Sequence, residues 1–389
     1  MKILGIETSC DETAASVVED GVSILSNVVV SQIDIFAEYG GVIPEVAARS
    51  HLEAMMPVVN KALSDSGCSW DDIDAIAVTY APGLLGSLLV GTLTARTLAI
   101  LHNKPLYAVH HLKSHVYANW IQQSSNGKEI TACPSDTLRA AQAKSSRSVE
   151  HTVISFPLLA LVVSGGHTQI LYMPAHNQFE IIGTTHDDAV GECFDKVAKI
   201  LGLPYPGGPS IAKAAEKGDA RKYKFPHPKV EGLDFSFSGL KTAVLRTVQK
   251  ELGFPISHPS HDLKNHLSEQ QVADFAASFQ KTAVDILVEK ISMALEQHPD
   301  VQSVVVAGGV SANKALREKV EKTFSRERSG PLGQVLLSQK GLSTFFPDPC
   351  LSGDNGAMVA AAAYYEIQSG VEATDPYKLN IYPRISIEN

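Results

Sequence analysis

Short apolar runs that break into turns of small or polar residues recur along the chain. Residues 3–6 are apolar, residues 7–13 form a polar stretch, and residues 14–18 are apolar again. The same pattern returns at residues 158–163, where Ser-Gly-Gly-His-Thr separates the run from a second one at 169–172. Two apolar runs around such a turn predict a β-hairpin. The sequence therefore predicts one hairpin in each half.

A second pattern also occurs once in each half. Apolar runs at 73–78 and 303–306 each lead through a glycine-containing turn into a stretch with helical periodicity. Further helical periodicity covers residues 88–101, 270–295 and 355–367. The repetition predicts an α/β protein with two similar domains that face each other across a cleft.

The predicted boundaries follow the changes in composition. The first domain spans residues 1–120 and is completed by 350–389, and the second spans 155–349. Residues 121–154 contain mostly Gln, Ser, Asn, Lys and Ala, which indicates a polar insertion between them. Residues 326–347 also look extended.

Composition limits the classes of function. With 389 residues, 44% of them hydrophobic, the chain can bury a sizeable core, but its net charge of −9 is not that of a basic nucleic-acid binder. A local basic cluster lies at residues 221–250 and includes Lys222 and Lys224. Five widely spaced cysteines without a Cys-x-x-Cys predict neither a disulfide framework nor a thiolate zinc site, and favour the cytoplasm. No stretch has the roughly 18 apolar residues of a membrane span.

Two histidines at helical spacing are candidate metal ligands. His111 and His115 would lie on one face of a helix, although such a pair is more often an ordinary part of a helix surface or core. His110 would point away from them. No Glu follows the first histidine, so this is not the His-Glu-x-x-His of zinc proteases. Asp354, at the start of an alanine-rich helix, is the best candidate for a third ligand.

Glycine-rich turns are candidate nucleotide-binding segments. Ser164-Gly165-Gly166 can present backbone N–H groups and a hydroxyl to an anion. Asp195 could accept hydrogen bonds from ribose, and Gly208 lies in a rigid turn that could contact a base or sugar. A glycine pair at a strand end precedes Asn313, as in many nucleotide sites. Each motif alone is also compatible with an ordinary turn or helix start.

Taken together, these segments resemble one family, the bacterial-type tRNA N6-adenosine threonylcarbamoyltransferases, formerly named O-sialoglycoprotein endopeptidases. The resemblance extends from residue 4 to about residue 363. It implies a fold of the actin-like ATPase superfamily, with two actin/Hsp70-like (ribonuclease H-like) domains. The motifs that carry it lie at residues 5–13, 39–45, 81–84, 111–115, 163–168, 194–196, 205–209, 234–241, 307–313 and 354–358.

The resemblance also implies a site and a reaction. A divalent metal, Fe²⁺ or Zn²⁺, would be held by His111, His115 and Asp354. The threonylcarbamoyl group of threonylcarbamoyl-adenylate would move to N6 of adenosine 37 in tRNAs reading codons that begin with A. The implied partners are tRNA, a paralogous inactive dimerisation subunit and a small ATPase subunit. The nucleotide would be held by Val162, Val163, Ser164, Gly165, Gly166, Asp195, Gly208 and Asn313.

The chemistry of individual residues suggests further catalytic roles and leaves other functions open. Glu12 could help to remove the proton of the attacking amine. No Ser or Cys has an obvious adjacent base, apart from a weak candidate in Cys10, so we expect no covalent enzyme intermediate. A metalloprotease, a small-molecule kinase of the same fold and a non-catalytic scaffold are the competing interpretations.

Overall fold

The computed structural model describes residues 1–122, 153–324 and 342–388. The chain divides into two compact units. Unit 1 contains Met1–His151, Ala175–Phe179 and Pro347–Asn389, and unit 2 contains Thr152–Pro174 and Glu180–Phe346. The predicted polar insertion at 121–154 and the extension at 326–347 lie largely outside the described residues. No helix in the described ranges combines the length and apolar character needed to cross a membrane.

Each unit begins with three consecutive strands, and helices and further strands follow. The strands are β1 Lys2–Glu7, β2 Glu12–Glu19, β3 Ser23–Ser31, β4 Ala75–Ala81, β5 Leu106–His110, β6 Leu158–Val163, β7 Thr168–Met173, β8 Glu180–Thr184, β9 Ser303–Ala307 and β10 Ser343–Phe345. The α-helices are α1 Ile33–Tyr39, α2 Pro44–Ser66, α3 Leu85–Leu101, α4 His111–Tyr117, α5 Val190–Leu201, α6 Gly207–Ala215, α7 Ser238–Glu251, α8 Glu269–Gln297, α9 Lys314–Phe324 and α10 Gly356–Gln368. The predicted hairpins, strand–glycine–helix units and long helices are confirmed.

The sheet of unit 1 has helices on both faces. Its strand order is β3-β2-β1-β4-β5, with β1, β2 and β3 antiparallel and β1, β4 and β5 parallel. Because side chains alternate along a strand, Ile3 of β1 packs with the buried alanines of α10 while Leu4 packs with Met55 of α2. This two-sided burial is the reason that β1 is apolar along most of its length.

Unit 2 repeats this arrangement. Its strand order, read from the hairpin edge, is β8-β7-β6-β9-β10, with the same antiparallel and parallel pairs as in unit 1. Helix α8 lies in its core, where Phe279 meets Phe194 of α5 with ring centroids 4.9 Å apart. The recurrence of one strand order confirms the predicted actin/Hsp70-like (ribonuclease H-like) α/β fold with two similar domains.

One cysteine differs from the prediction that the chain has no disulfide framework. Cys10, Cys68 and Cys193 are free, but Cys350 is disulfide-bonded. Wide spacing without a Cys-x-x-Cys excludes a dense framework and cannot exclude one long-range bond, because the fold decides which distant residues meet.

Candidate active site

The two candidate histidines lie on the short helix α4, directly after strand β5. His110 is the N-cap, and its Nδ1 accepts a hydrogen bond from the backbone N–H of Leu112. Helix α4 then places the buried imidazoles of His111 and His115 side by side, with ring centroids 4.6 Å apart. The predicted pairing of His111 and His115 on one helix face is therefore confirmed, and His110 has a structural role.

Asp354 meets this pair from the other end of the chain. It immediately precedes Asn355, whose Oδ1 caps helix α10 at Met358 and whose Nδ2 donates to the carbonyl of Gly353. Oδ1 of Asp354 lies 3.1 Å from Nε2 of His115 and 3.6 Å from Nε2 of His111. The three side chains thus present one ligand atom each within 4.8 Å of one another.

The hydrogen bonding of His115 indicates whether these residues suit a metal ion. Both ring nitrogens of this buried imidazole lack a hydrogen-bond partner in the described part of the chain. Its Nε2 approaches Asp354 at ion-pair distance but without hydrogen-bond geometry. A buried polar group is normally satisfied, so an imidazole aimed at a carboxylate in this way fits a metal ligand. Two imidazoles and one carboxylate are also a donor set that transition metals accept.

Glu7 orients one of the two histidines. The carboxylate at the end of β1 is fully buried, and its Oε2 lies 3.1 Å from Nδ1 of His111. Glu7 also accepts hydrogen bonds from the backbone N–H of Ser9 and the hydroxyl of Thr79. A carboxylate at Nδ1 favours the tautomer that leaves a lone pair on Nε2, which faces Asp354. The resulting carboxylate–histidine pair is the usual support of a metal-binding imidazole.

The surroundings of the site are strongly acidic. Burial and the neighbouring carboxylates of Asp11 and Asp354 raise the pKa of Glu12 well above its usual range. Although burial disfavours its charged form, the carboxylates of Asp354 and Glu7 raise the pKa of His111 to about 9. Both pKa shifts reflect a concentration of negative charge, which a bound cation would offset.

The Ser164 turn lies at the carboxyl ends of two parallel strands in unit 2. The backbone N–H of Ser164 donates to the carbonyl of His167, and the Ser164 hydroxyl accepts from the N–H of His167. Gly165 and Gly166 are exposed, and a Cβ on either would meet no atom within 4 Å. Ligands of open α/β sheets bind outside such strand ends. The open glycine pair gives an anion access to the backbone there.

Close backbone contacts join further segments to this turn. A Cβ on Gly308 would lie 2.5 Å from the carbonyl oxygen of Val163, and one on Gly191 would lie 2.5 Å from that of Ser164. At both positions glycine therefore permits a neighbouring element to approach the strand end. Gly308 has a φ of +87°, which also favours glycine.

The remaining predicted nucleotide residues have partners of their own. Oδ1 of Asp195 accepts a hydrogen bond of 2.6 Å from the backbone N–H of Gly207, which fixes Gly208 at the start of α6. Asn313 bonds to Gln280 through Nδ2 and caps α9 at Leu316 through Oδ1. The side chains of Val162 and Val163 are fully buried, so their backbone groups are what could contact a ligand. The nucleotide-binding roles of these residues stay predictions.

Glu7 has a role that was not predicted from the sequence. It lies in the predicted polar stretch with Glu12, yet it belongs to β1 and contacts a residue 104 positions away. The available signal was a carboxylate at the end of an otherwise apolar strand, because a buried charge requires partners.

Comparisons with known proteins point to one family over almost the whole chain. The family model described as TsaD, tRNA N6-adenosine threonylcarbamoyltransferase, matches residues 23–134 and 137–361. A protein of that name from Symbiobacterium thermophilum is 45% identical over 370 residues, covering 95% of this chain and 92% of its own. One from Bacillus subtilis is 42% identical over 391 residues, covering 100% of this chain and 96% of its own.

Replacing Glu7 should weaken metal binding at the His111 site. In Glu7→Gln the amide can donate to Nδ1 of His111, which moves the ring proton to Nε2 and removes the lone pair there. Changes of this kind in supporting residues typically weaken metal affinity by about 10–100-fold. Competition between the full-length chain and a chelator for Co²⁺ measures the effect, after subtraction of any Co²⁺ that His111→Ala/His115→Ala retains. Glu45→Gln, at an exposed residue of α2, is the control. Equal affinities of Glu7→Gln and wild type would contradict this role.

Proposed function

Because this chain belongs to the tRNA N6-adenosine threonylcarbamoyltransferase family, we propose that it transfers a threonylcarbamoyl group from threonylcarbamoyl-adenylate to N6 of adenosine 37 in tRNA, releasing AMP. The substrates are tRNAs that read codons beginning with A. The observation that carries the proposal is the convergence of His111, His115 and Asp354 beside Glu7.

The bond changes define what the residues have to do. The bond between the carbamoyl carbon and a phosphate oxygen breaks, and its electron pair leaves with AMP. N6 of the adenine forms the new C–N bond and loses one proton. We assign that proton to the ionised form of Glu12, whose carboxylate lies near those of Asp11 and Asp354. The exocyclic amine is a poor nucleophile, so positioning of the two substrates contributes much of the rate.

The metal-binding and anion-binding roles fall on different residues. His111, His115 and Asp354 would hold Fe²⁺, with Zn²⁺ as the alternative, since two imidazoles and a carboxylate leave open coordination positions. When bound, the ion supplies Lewis-acid polarisation of the carbamoyl carbonyl. The backbone of Val162–Gly166 would hold the phosphate, and Asp195, Gly208 and Asn313 would contact the nucleoside. Hydrogen bonds from the Ser164 turn would also offset the charge that develops on the departing AMP.

An apolar stripe supports a protein partner. Leu85, Leu89 and Leu93 of α3 lie four residues apart and are 60%, 45% and 46% exposed. Leu52 and Met56 of α2 add 68% and 43% exposed side chains, and α2 packs against α3. Exposed apolar side chains grouped on neighbouring helices are typical of protein interfaces. We assign this surface to the paralogous inactive subunit, and a small ATPase subunit completes the proposed assembly.

The basic cluster at 221–250 is the proposed tRNA-docking surface, but its lysines are not equivalent. Lys222 pairs with the buried carboxylate of Asp274 at 2.9 Å. Removing Lys222 would leave that buried carboxylate without its cation, so a change in tRNA affinity would be difficult to interpret. Lys224 and Lys229 are exposed and are better suited to test the surface.

The proposed reaction is tested by reconstitution. The wild-type chain with its partners, the adenylate synthase, threonine, bicarbonate, ATP and unmodified tRNA should yield threonylcarbamoyl-adenosine in digested tRNA, detected by mass spectrometry. His111→Ala/His115→Ala should lose the product, whereas His102→Ala, outside the cluster, should retain it. Absence of product from the wild type, beside a verified active system, would favour a kinase or a scaffold.

The interface is tested by charge insertion. Leu89→Glu/Leu93→Glu places two carboxylates on the stripe and should weaken binding of the paralogous subunit at least tenfold, because burying an unpaired charge is costly. Analytical ultracentrifugation measures the complex. Val371→Glu, at a residue of similar exposure in unit 1, is the control. Unchanged association of the double variant would exclude this surface.

The tRNA-docking surface is tested by charge removal. We expect the isolated chain, with its net charge of −9, to bind tRNA weakly, so the assembled complex is used. Lys224→Gln/Lys229→Gln should weaken tRNA binding several-fold and make its salt dependence less steep, by about one unit for each lysine that binds a phosphate. Lys314→Gln/Lys322→Gln, on exposed positions of α9, makes the same change in net charge. Equal effects of the two pairs would mean that only overall charge matters.

A further inference from the structure

A second group of potential metal ligands lies in the loop between α7 and α8 of unit 2. Nε2 of His258 lies 2.8 Å from Oδ2 of Asp262, and Nε2 of His266 lies 3.2 Å from the same oxygen. The three side chains offer ligand atoms within 4.8 Å of one another. They belong to a different unit from His111 and Asp354, and nothing in the proposed transfer reaction uses them.

The loop holds these side chains in position. The ring of Phe254 stacks on His258 at 3.9 Å with an interplanar angle of 3°, and meets His266 edge-on at 4.9 Å. Nδ2 of Asn265 donates to Oδ1 of Asp262, so the carboxylate turns its other oxygen toward the histidines. Both imidazoles are therefore oriented by contacts that do not involve their Nε2 atoms.

The backbone of the loop is anchored as well. Nε2 of Gln249, a buried side chain at the end of α7, donates to the carbonyls of Ile256 and His258. Nη1 of Arg246 donates to the same carbonyl of Ile256. Supporting contacts of this kind are what a metal site needs in order to be preorganised.

The spacing of the ligand atoms suits a small cation. Zinc bonds to imidazole nitrogen and carboxylate oxygen at about 2.0–2.2 Å, which places the ligands of a tetrahedral site about 3.4 Å apart. The observed separations of 2.8 and 3.2 Å would have to widen by about 0.6 and 0.2 Å, and all three ligand atoms already lie within 4.8 Å of one another. Two nitrogen donors also favour a transition metal over Mg²⁺ or Ca²⁺, which prefer oxygen.

We propose that His258, Asp262 and His266 form a second, structural site for a divalent transition metal such as Zn²⁺. Three protein ligands and one water complete a tetrahedral shell. The ion ties the loop that follows α7 to the segment before Ser268, the N-cap of α8. The competing explanation is that Asp262 only accepts hydrogen bonds from the two imidazoles.

Metal titration of the full-length chain separates these explanations. Co²⁺ is used as the probe, because its visible absorption distinguishes nitrogen and oxygen ligands from cysteine thiolates. In the His111→Ala/His115→Ala background, equilibrium dialysis should still find one Co²⁺ per chain, with the spectrum of a tetrahedral nitrogen–oxygen site. Adding His258→Asn/His266→Asn should abolish this binding, whereas adding His261→Asn, at an exposed neighbour in the same loop, should leave it unchanged.

Either of two results would overturn the proposal. Absence of Co²⁺ from the His111→Ala/His115→Ala variant would mean that the loop cluster is only hydrogen-bonded. Retention of Co²⁺ after His258→Asn/His266→Asn would place the ion elsewhere. Should the double loop variant fail to fold by circular dichroism, His266→Asn alone serves, since His266 is the more exposed of the two histidines and its loss should still weaken Co²⁺ binding at least tenfold. Because the readout is metal binding, the result is independent of whether the transfer reaction is correct.

Discussion

The close approach of helix α10 to strand β1 is the contact on which the candidate metal centre depends. A Cβ on Gly5 would lie 2.1 Å from the carbonyl oxygen of Gly356 and 2.7 Å from the backbone nitrogen of Ala360. The buried alanines that follow Gly356 allow the helix to lie against the sheet along its length. This packing brings Asp354 to His115, although the two residues are 239 positions apart (354 − 115). A larger side chain at Gly5 would force the helix, and with it the carboxylate, away from the histidines.

The same site concentrates negative charge that the fold alone does not balance. Burial raises the pKa of Asp11 as well as that of Glu12, and the carboxylate of Asp354 contributes to both shifts. Grouping buried carboxylates costs stability unless protons or cations accompany them. A bound divalent ion would offset that cost and would stabilise the fold. The acidic side chains of the site are therefore suited to bind a cation.

The sequence was informative wherever a local pattern decides the structure. Alternation and apolar runs predicted the hairpins and the long helices, and the four-residue spacing of His111 and His115 predicted their common face. The pairing of Glu7 with His111 and of Lys222 with Asp274 could not be predicted in this way, because both contacts are long-range and depend on how strands and helices pack. The His258 cluster lies between these cases. The four-residue spacing of its side chains is visible in the sequence. The loop that brings their ligand atoms together contains only one short helical turn, Leu263–Asn265, so helical spacing alone does not predict the cluster.

The duplicated topology uses one structural position for two kinds of chemistry. In unit 1 the turn after the first strand follows Glu7 and carries Asp11, so it presents carboxylates. In unit 2 the corresponding turn carries Ser164, Gly165 and Gly166 between β6 and β7, and the open space at both glycines leaves its backbone accessible. Carboxylates and imidazoles attract a cation, whereas exposed backbone N–H groups attract an anion. The same position of the duplicated fold is therefore adapted to a cation in unit 1 and to an anion in unit 2.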